Sequence, residues 1–148
     1  ITMKTANTAF TRGAESPVMI AAQKNLDYAI ERDGKLFAGV HKIVDMWAPK
    51  RIDDPDFIET AMRESVAAAR ATLLHIHLHH FDNTGGVSGV AVLAESHISV
   101  HTWPEHGFAA FDIFTCGNTD PEAAIAVLAA ALQPERVEVY EILRGGAE

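Results

Sequence analysis

The sequence predicts an α+β fold, a two-layer sandwich in which one mainly antiparallel sheet carries two helices packed on one face. Three observations predict it. Short apolar runs rich in Val, Ile, Phe and Leu recur between tight polar loops, as strands do. Two other segments place apolar residues at helical spacing behind an Asp-Pro start. Finally, most of the strand-like runs follow one another directly, which suits antiparallel neighbours; parallel neighbours need a crossover of a dozen or more residues.

Taken in order, residues 1–34 hold Thr, Ala, Asn and Gly without sustained periodicity, apart from a short helix predicted near Ala21–Arg32. They read as a mobile or loosely docked extension, and residues 35–148 as the single domain. LFAGVHKIVDMW, from Leu36, is predicted to be a strand. A helix follows: Asp53 or Asp54 caps it, Pro55 suits its first turn, and Asp56 and Glu59 favour the positive end of its dipole. Phe57, Ile58, Ala61, Met62, Val66 and Ala69 give it one apolar stripe for the sheet to cover. Strands are predicted at Thr72–Phe81, Val87–Leu93, Ser96–Trp103, Phe108–Thr115 and Arg136–Leu143. DNTGG after Phe81 is a loop, and a second helix opens at Asp120-Pro121-Glu122 and runs to about Leu132. With both helices on one face, the apolar content of the other face favours a homo-oligomer.

Composition narrows the function. At 148 residues with 48% hydrophobic side chains, the chain is one domain long and can bury a full core. No apolar run approaches the roughly 20 residues of a membrane helix, and the start does not read as a signal peptide. A net charge of −8 with no Lys/Arg cluster argues against nucleic acid as a partner. The single Cys116 rules out an internal disulfide framework and fits a reducing, cytoplasmic setting.

The segment LAESHISVHTWPEHG, Leu93 to Gly107, crowds reactive side chains into a strand-like run. Alternation sets Ser96, Ile98 and Val100 on one side and His97, Ser99 and His101 on the other. A solvated edge strand would show the same pattern. Against that plain account, Glu95-Ser96 puts a carbonyl beside a hydroxyl within an apolar stretch. Cys116 lies in a second polar cluster, TCGN, and Gly85, Gly86 and Gly89 surround Ser88.

GVSGV followed by LAESHISVHTWPEHGFAAFDIFTCG resembles the signature of bacterial and archaeal S-adenosylmethionine decarboxylases, small pyruvoyl-dependent enzymes of spermidine synthesis. The resemblance covers roughly Gly39 to Arg144; residues 1–34 lie outside it. It implies a proenzyme that cuts itself between Glu95 and Ser96, the Ser96 hydroxyl attacking the Glu95 carbonyl. β-Elimination and hydrolysis then leave a pyruvoyl cofactor derived from Ser96. That group forms a Schiff base with the substrate amine and accepts the electrons released with carbon dioxide. The resemblance assigns processing roles to Ser88 and His101, and to Cys116 the return of a proton to the substrate carbon. Phe81 matches an aromatic that packs on adenine, Glu105 an acid that holds the ribose, and Trp103 sits beside them to line the methionine end or anchor the turn at Pro104. A homodimer with sites near the subunit interface is implied as well. One geometric conflict stands out: five residues along an unbroken strand would point His101 and Ser96 to opposite faces, so a sharp turn at Glu95-Ser96, or relaxation after cleavage, is expected.

Three rival readings stand beside this one. His75, His77 and His79 fall on one strand face and invite zinc, but nothing in the sequence completes a site, so no metal is expected. The same scaffold could decarboxylate arginine or ornithine, which have no adenine for Phe81 to hold. An uncleaved relative could act as a regulatory subunit, although every processing residue is present.

Overall fold

The computed structural model describes residues 2–4 and 28–146. Their strands form one seven-stranded sheet in the spatial order β1-β9-β4-β8-β7-β6-β5 and one small hairpin. In chain order these are β1 (Thr2–Lys4), β2 (Ile30–Arg32), β3 (Lys35–Phe37), β4 (Gly39–Trp47), β5 (Leu73–His80), β6 (Val87–Leu93), β7 (Ser96–Trp103), β8 (Phe108–Thr115) and β9 (Arg136–Arg144). Every pairing in the large sheet is antiparallel except β1 with β9, which is parallel. The predicted α+β sandwich is therefore the observed one.

Both helices start as their sequences dictate. α1 (Pro55–Ala68) is capped by Asp54, whose carboxylate accepts the Phe57 N–H at 3.0 Å. α2 (Pro121–Leu132) is capped by Asp120, which accepts the Ala123 N–H at 3.0 Å. Such caps are each worth about 1 kcal/mol. Ile58, Ala61, Met62 and Val66 of α1 and Ala124, Ile125, Leu128 and Leu132 of α2 are buried against one face of the sheet. That face supplies Val44 and Met46 from β4, Ile98 and Val100 from β7, and Phe111 and Ile113 from β8. Phe57, from the predicted stripe, sits at its margin with the Arg51 guanidinium 3.9 Å from its ring centre.

Lys42 is, among the described residues, the one charged side chain buried on this face, at 2% exposure. Its ammonium bonds Glu141 on β9 and lies 2.7 Å from Glu122 in the first turn of α2, tying helix to sheet. Burial works to lower its pKa, but the two carboxylates outweigh that and raise it.

The N-terminal part departs from expectation. Leu36 to Trp47 is not one strand: the chain breaks at Ala38, whose N–H donates to the Arg144 carbonyl at 2.8 Å. Asp33 and Gly34 both take positive φ, 51° and 74°, the geometry of a tight two-residue turn, and fold β3 back on β2. Ile30–Arg32, expected as the end of a helix, is thus a strand. The rest of that predicted helix, and most of the extension, lie outside the described residues. Tyr28 is docked, its carbonyl accepting the Gly117 N–H at 3.0 Å.

Candidate active site

The loop between β6 and β7 is only Ala94-Glu95. Two-residue hairpins usually place their positive φ within the loop. Here neither loop residue has one, and the angle falls on Ser96, at φ 142°. Only glycine adopts that region readily, so the junction holds about 1–3 kcal/mol of backbone strain at the Glu95–Ser96 bond. A sharp backbone distortion is therefore present at Ser96, but it does not bring Ser96 and His101 together.

Around this bond the side chains are fixed. The Glu95 carboxylate accepts the Thr72 N–H at 2.9 Å and the Thr72 hydroxyl at 3.1 Å, pinning the hairpin tip to the start of β5. The Cys116 thiol donates to the Glu95 carbonyl oxygen at 3.3 Å. Desolvation raises the pKa of this half-buried thiol, and the Glu95 charge raises it further, so it stays protonated at neutral pH. The Thr119 hydroxyl donates to the Cys116 carbonyl at 3.0 Å, and the Gly117 N–H is held by Tyr28, so the loop bearing the thiol is braced on both sides.

Ser88 and His101 form a second cluster. They face each other across β6 and β7, with Ser88 Oγ and His101 Nδ1 2.9 Å apart. Gly89 permits the close approach of β5 here: a Cβ there would lie 2.2 Å from the His77 carbonyl oxygen. Trp103 lies on the same face as His101, with ring centres 6.2 Å apart, and packs on Phe108. Glu105 sits in the exposed single-turn helix after Trp103 (Pro104–His106). Phe81 is exposed at the end of β5, edge-on to His79.

The structure thus divides the predicted residues into two sets. Glu95, Ser96 and Cys116 lie at one end of the sheet; Ser88, His101, Trp103, Glu105 and Phe81 lie at the other. Five residues of extended strand separate Ser96 from His101, about 16 Å at the usual rise. Within one chain the two sets do not meet. Among the described residues no group of three or more His, Cys, Asp or Glu side chains is arranged to hold a metal ion, the β5 histidines included. No described helix is long and apolar enough to cross a membrane.

Thr72 escaped the sequence reading, because its role depends on a partner 23 residues away that no local pattern reveals. The open face also holds a network that was not anticipated. His41 Nε2 and Asp112 Oδ1 are 3.1 Å apart, and the Ser99 hydroxyl donates to the other carboxylate oxygen at 3.3 Å. His97 beside them has its pKa lowered by burial and by His41, against the pull of Asp112.

Known proteins match this chain in sequence and in fold. The S-adenosylmethionine decarboxylase family model matches residues 40–145. The S-adenosylmethionine decarboxylase proenzyme of Thermomicrobium roseum is 49% identical over 108 residues, covering 72% of this chain and 93% of that protein. The proenzyme of Methanococcus vannielii is 46% identical over 110 residues, covering 72% and 89%. The crystal structure of the adenosylmethionine decarboxylase from Aquifex aeolicus superposes with a TM-score of 0.67 at 36% identity, over 74% of this chain and 92% of that one. With the family model, these relatives and the fold in agreement, the chain belongs to the S-adenosylmethionine decarboxylase family.

Proposed function

We propose that the protein is a proenzyme that cuts itself between Glu95 and Ser96 and then decarboxylates S-adenosylmethionine, yielding the aminopropyl donor for spermidine synthesis. The observation that carries this is the Ser96 backbone at φ 142°, directly after a carbonyl that accepts the Cys116 thiol. Strain relieved on cleavage and a polarised carbonyl both lower the barrier to attack by a neighbouring hydroxyl.

The residues present fit a pyruvoyl group made from Ser96. Position 96 is the first residue of a strand, held on both sides by β6 and β8, so a new end formed there stays in place. That group supplies a carbonyl that engages the substrate amine and takes up electrons as carbon dioxide departs. The protein's own part is proton control and orientation. Cys116, kept protonated by burial, is placed to return a proton to the substrate carbon. The Ser88–His101 pair forms a relay able to accept the proton lost in elimination. Phe81 and Trp103 offer flat faces for adenine and for the sulfonium, and Glu105 an acceptor for the ribose hydroxyls.

The 16 Å or so between the two sets is the reason we assign a homodimer. A second copy related by a two-fold axis sets Ser88, His101, Phe81, Trp103 and Glu105 of one protomer against Glu95, Ser96 and Cys116 of the other, giving two equal sites. The open sheet face, where Trp103, Val92 and Ile142 are each more than a third exposed, is the surface we assign to the contact. A cytoplasmic location fits the reduced Cys116 this chemistry needs.

Intact-mass spectrometry with a carbon dioxide release assay tests the reading. Purified protein should resolve into residues 1–95 and residues 96–148, the latter with a mass showing loss of the Ser96 amine, and should release carbon dioxide from S-adenosylmethionine but not from arginine or ornithine. A single uncut chain with no release defeats it.

A further inference from the structure

Thr115 ends β8 with its side chain on the helix-covered face, and it is fully buried. Its Oγ1 is, among the described residues, the one buried side-chain nitrogen or oxygen with no hydrogen-bond partner. A buried hydroxyl without a partner is costly, and valine would fill the same space without that cost. The fold therefore does not explain the hydroxyl.

Its position does. Thr115 lies directly across the strand pair from Ser96. Side chains so paired share a face with Cβ atoms about 5 Å apart, and Thr opposite Ser ordinarily forms a cross-strand hydrogen bond. Here that bond is not made: Thr115 Oγ1 has no partner, and Ser96, though paired in the ladder, has the unusual φ of 142°. The backbone beneath is tightly held: a Cβ on Gly39 would come within 2.7 Å of the Thr115 carbonyl oxygen. Successive residues thus straddle one bond. Cys116 meets the carbonyl of residue 95, and Thr115 faces residue 96.

We propose that Thr115 is a further catalytic residue, a hydrogen-bond donor to the oxygen at position 96 during self-cleavage and in the finished enzyme. It rests on the reading of self-cleavage given above. Thr115 transfers no proton. When Ser96 Oγ takes the acyl group of Glu95, the new C–O bond replaces the C–N bond, and the hydroxyl proton ends on the freed nitrogen. Elimination then moves the Cα proton to a base and breaks the Cβ–Oγ bond, the electron pair leaving with the Glu95 carboxylate. Water finally replaces nitrogen by oxygen at Cα, releasing ammonia. Thr115 donates first to the ester oxygen, stabilising the negative charge that grows there as it leaves, and afterwards to the ketone oxygen. The hydroxyl is unpartnered in the uncut chain because Ser96 Oγ is to meet it only as the ester forms, and the ketone oxygen that follows is made by the reaction.

The test compares Thr115→Val, Thr115→Ala and Thr115→Ser in the full chain, timing the appearance of the two pieces by intact mass. The valine and alanine variants should lengthen the half-time about tenfold or more, the loss expected when one donor to a developing charge is removed. Serine should keep it within about threefold. Melting is then measured with Ser96→Ala as the uncuttable background. There Thr115→Val should leave Tm unchanged or raise it by a few degrees, since no bond is lost. A merely structural threonine would instead lower Tm and slow cleavage together, and that result overturns the proposal. If valine does not fold, the alanine–serine pair gives the same comparison. A parent chain that never cuts itself removes the reading this rests on; a parent that cuts while Thr115→Val keeps pace removes Thr115 alone.

Discussion

Cys116 Sγ lies 3.3 Å from the main-chain carbonyl oxygen of Glu95, the residue that also raises the thiol's pKa. One group therefore meets both the bond to be cut and, in the proposed reaction, the substrate carbon. Desolvation is the larger cause of the raised pKa and the Glu95 charge the smaller, and both hold the proton on sulfur. The thiol is suited to donate a proton and poorly suited to attack as a thiolate.

The first prediction concerns pH. A proton donor works only while protonated, and this thiol ionises above its ordinary value of 9.0. Turnover should therefore hold through neutral pH and fall on an alkaline limb lying above 9.0. Cys116→Ala should reduce kcat by about 10²–10⁴, the usual size of a general-acid contribution, and should abolish that limb. A kcat profile whose limb lies below pH 8 and persists in the variant excludes the thiol as donor.

Backbone strain at Ser96 makes a second, purely structural prediction. In the proposed reaction neither Ser96→Gly nor Ser96→Ala has the hydroxyl that cleavage needs, so both report on the uncut fold. Glycine accepts φ 142° freely and alanine does not. The glycine variant should be the more stable by about 1 kcal/mol, a few degrees in Tm. Calorimetry showing alanine equal or higher means that the junction holds no strain.

A composite site predicts rescue between two inactive chains. Ser96→Ala keeps Ser88 and His101, whereas His101→Ala keeps the cleavable bond. Each alone should remain intact. Co-refolded, they should form mixed dimers in which only the His101→Ala chain is cut, which mass distinguishes. No cleavage in a mixture shown by native mass spectrometry to contain heterodimers contradicts the shared site.

Lys42 carries the fourth prediction. Replacement by Met leaves Glu122 and Glu141 facing each other at the junction of α2 and β9 with no cation between them. Both carboxylates are partly solvated, so the loss should be about 1–2 kcal/mol, less than the 3–5 of a fully buried pair. The raised pKa sets the direction with pH. The contribution is fully present below the ordinary lysine value of 10.5 and is lost as pH rises through the higher folded value. Tm of the parent and the variant should therefore converge only in strongly alkaline solution.

Much of this was legible in local sequence. Asp54-Pro55 and Asp120-Pro121 announce their helices because capping is decided by adjacent residues, and alternation from Val87 to Thr115 gives three strands with their bounds. The β2–β3 hairpin was missed because Asp33-Gly34 lies in a stretch without apolar alternation, where turn chemistry was the only cue. The parity of Ser96 and His101 showed a conflict, but its form needed coordinates: a hairpin whose positive φ falls one residue beyond its loop. The placing of Thr72 and Thr115 was hidden for a different reason. Each lies against a residue distant in the chain, and such pairing is a property of the whole sheet.

The order of strands has a consequence for what a cut at the β6–β7 hairpin can do. β1, β4, β5 and β6 precede it, and β7, β8 and β9 follow it, yet in the sheet these interleave like the fingers of two clasped hands. β9 lies between β1 and β4, and the β8–β7 pair between β4 and β6. Neither piece retains a continuous sheet of its own, and α1 and α2, one from each, share a single core. Severing the tip leaves the pairing of residues 97–103 with both neighbouring strands in place, so the halves should copurify as one body and part only in denaturant. A single scission there would thereby create a new chemical terminus within an architecture that has nowhere to come apart.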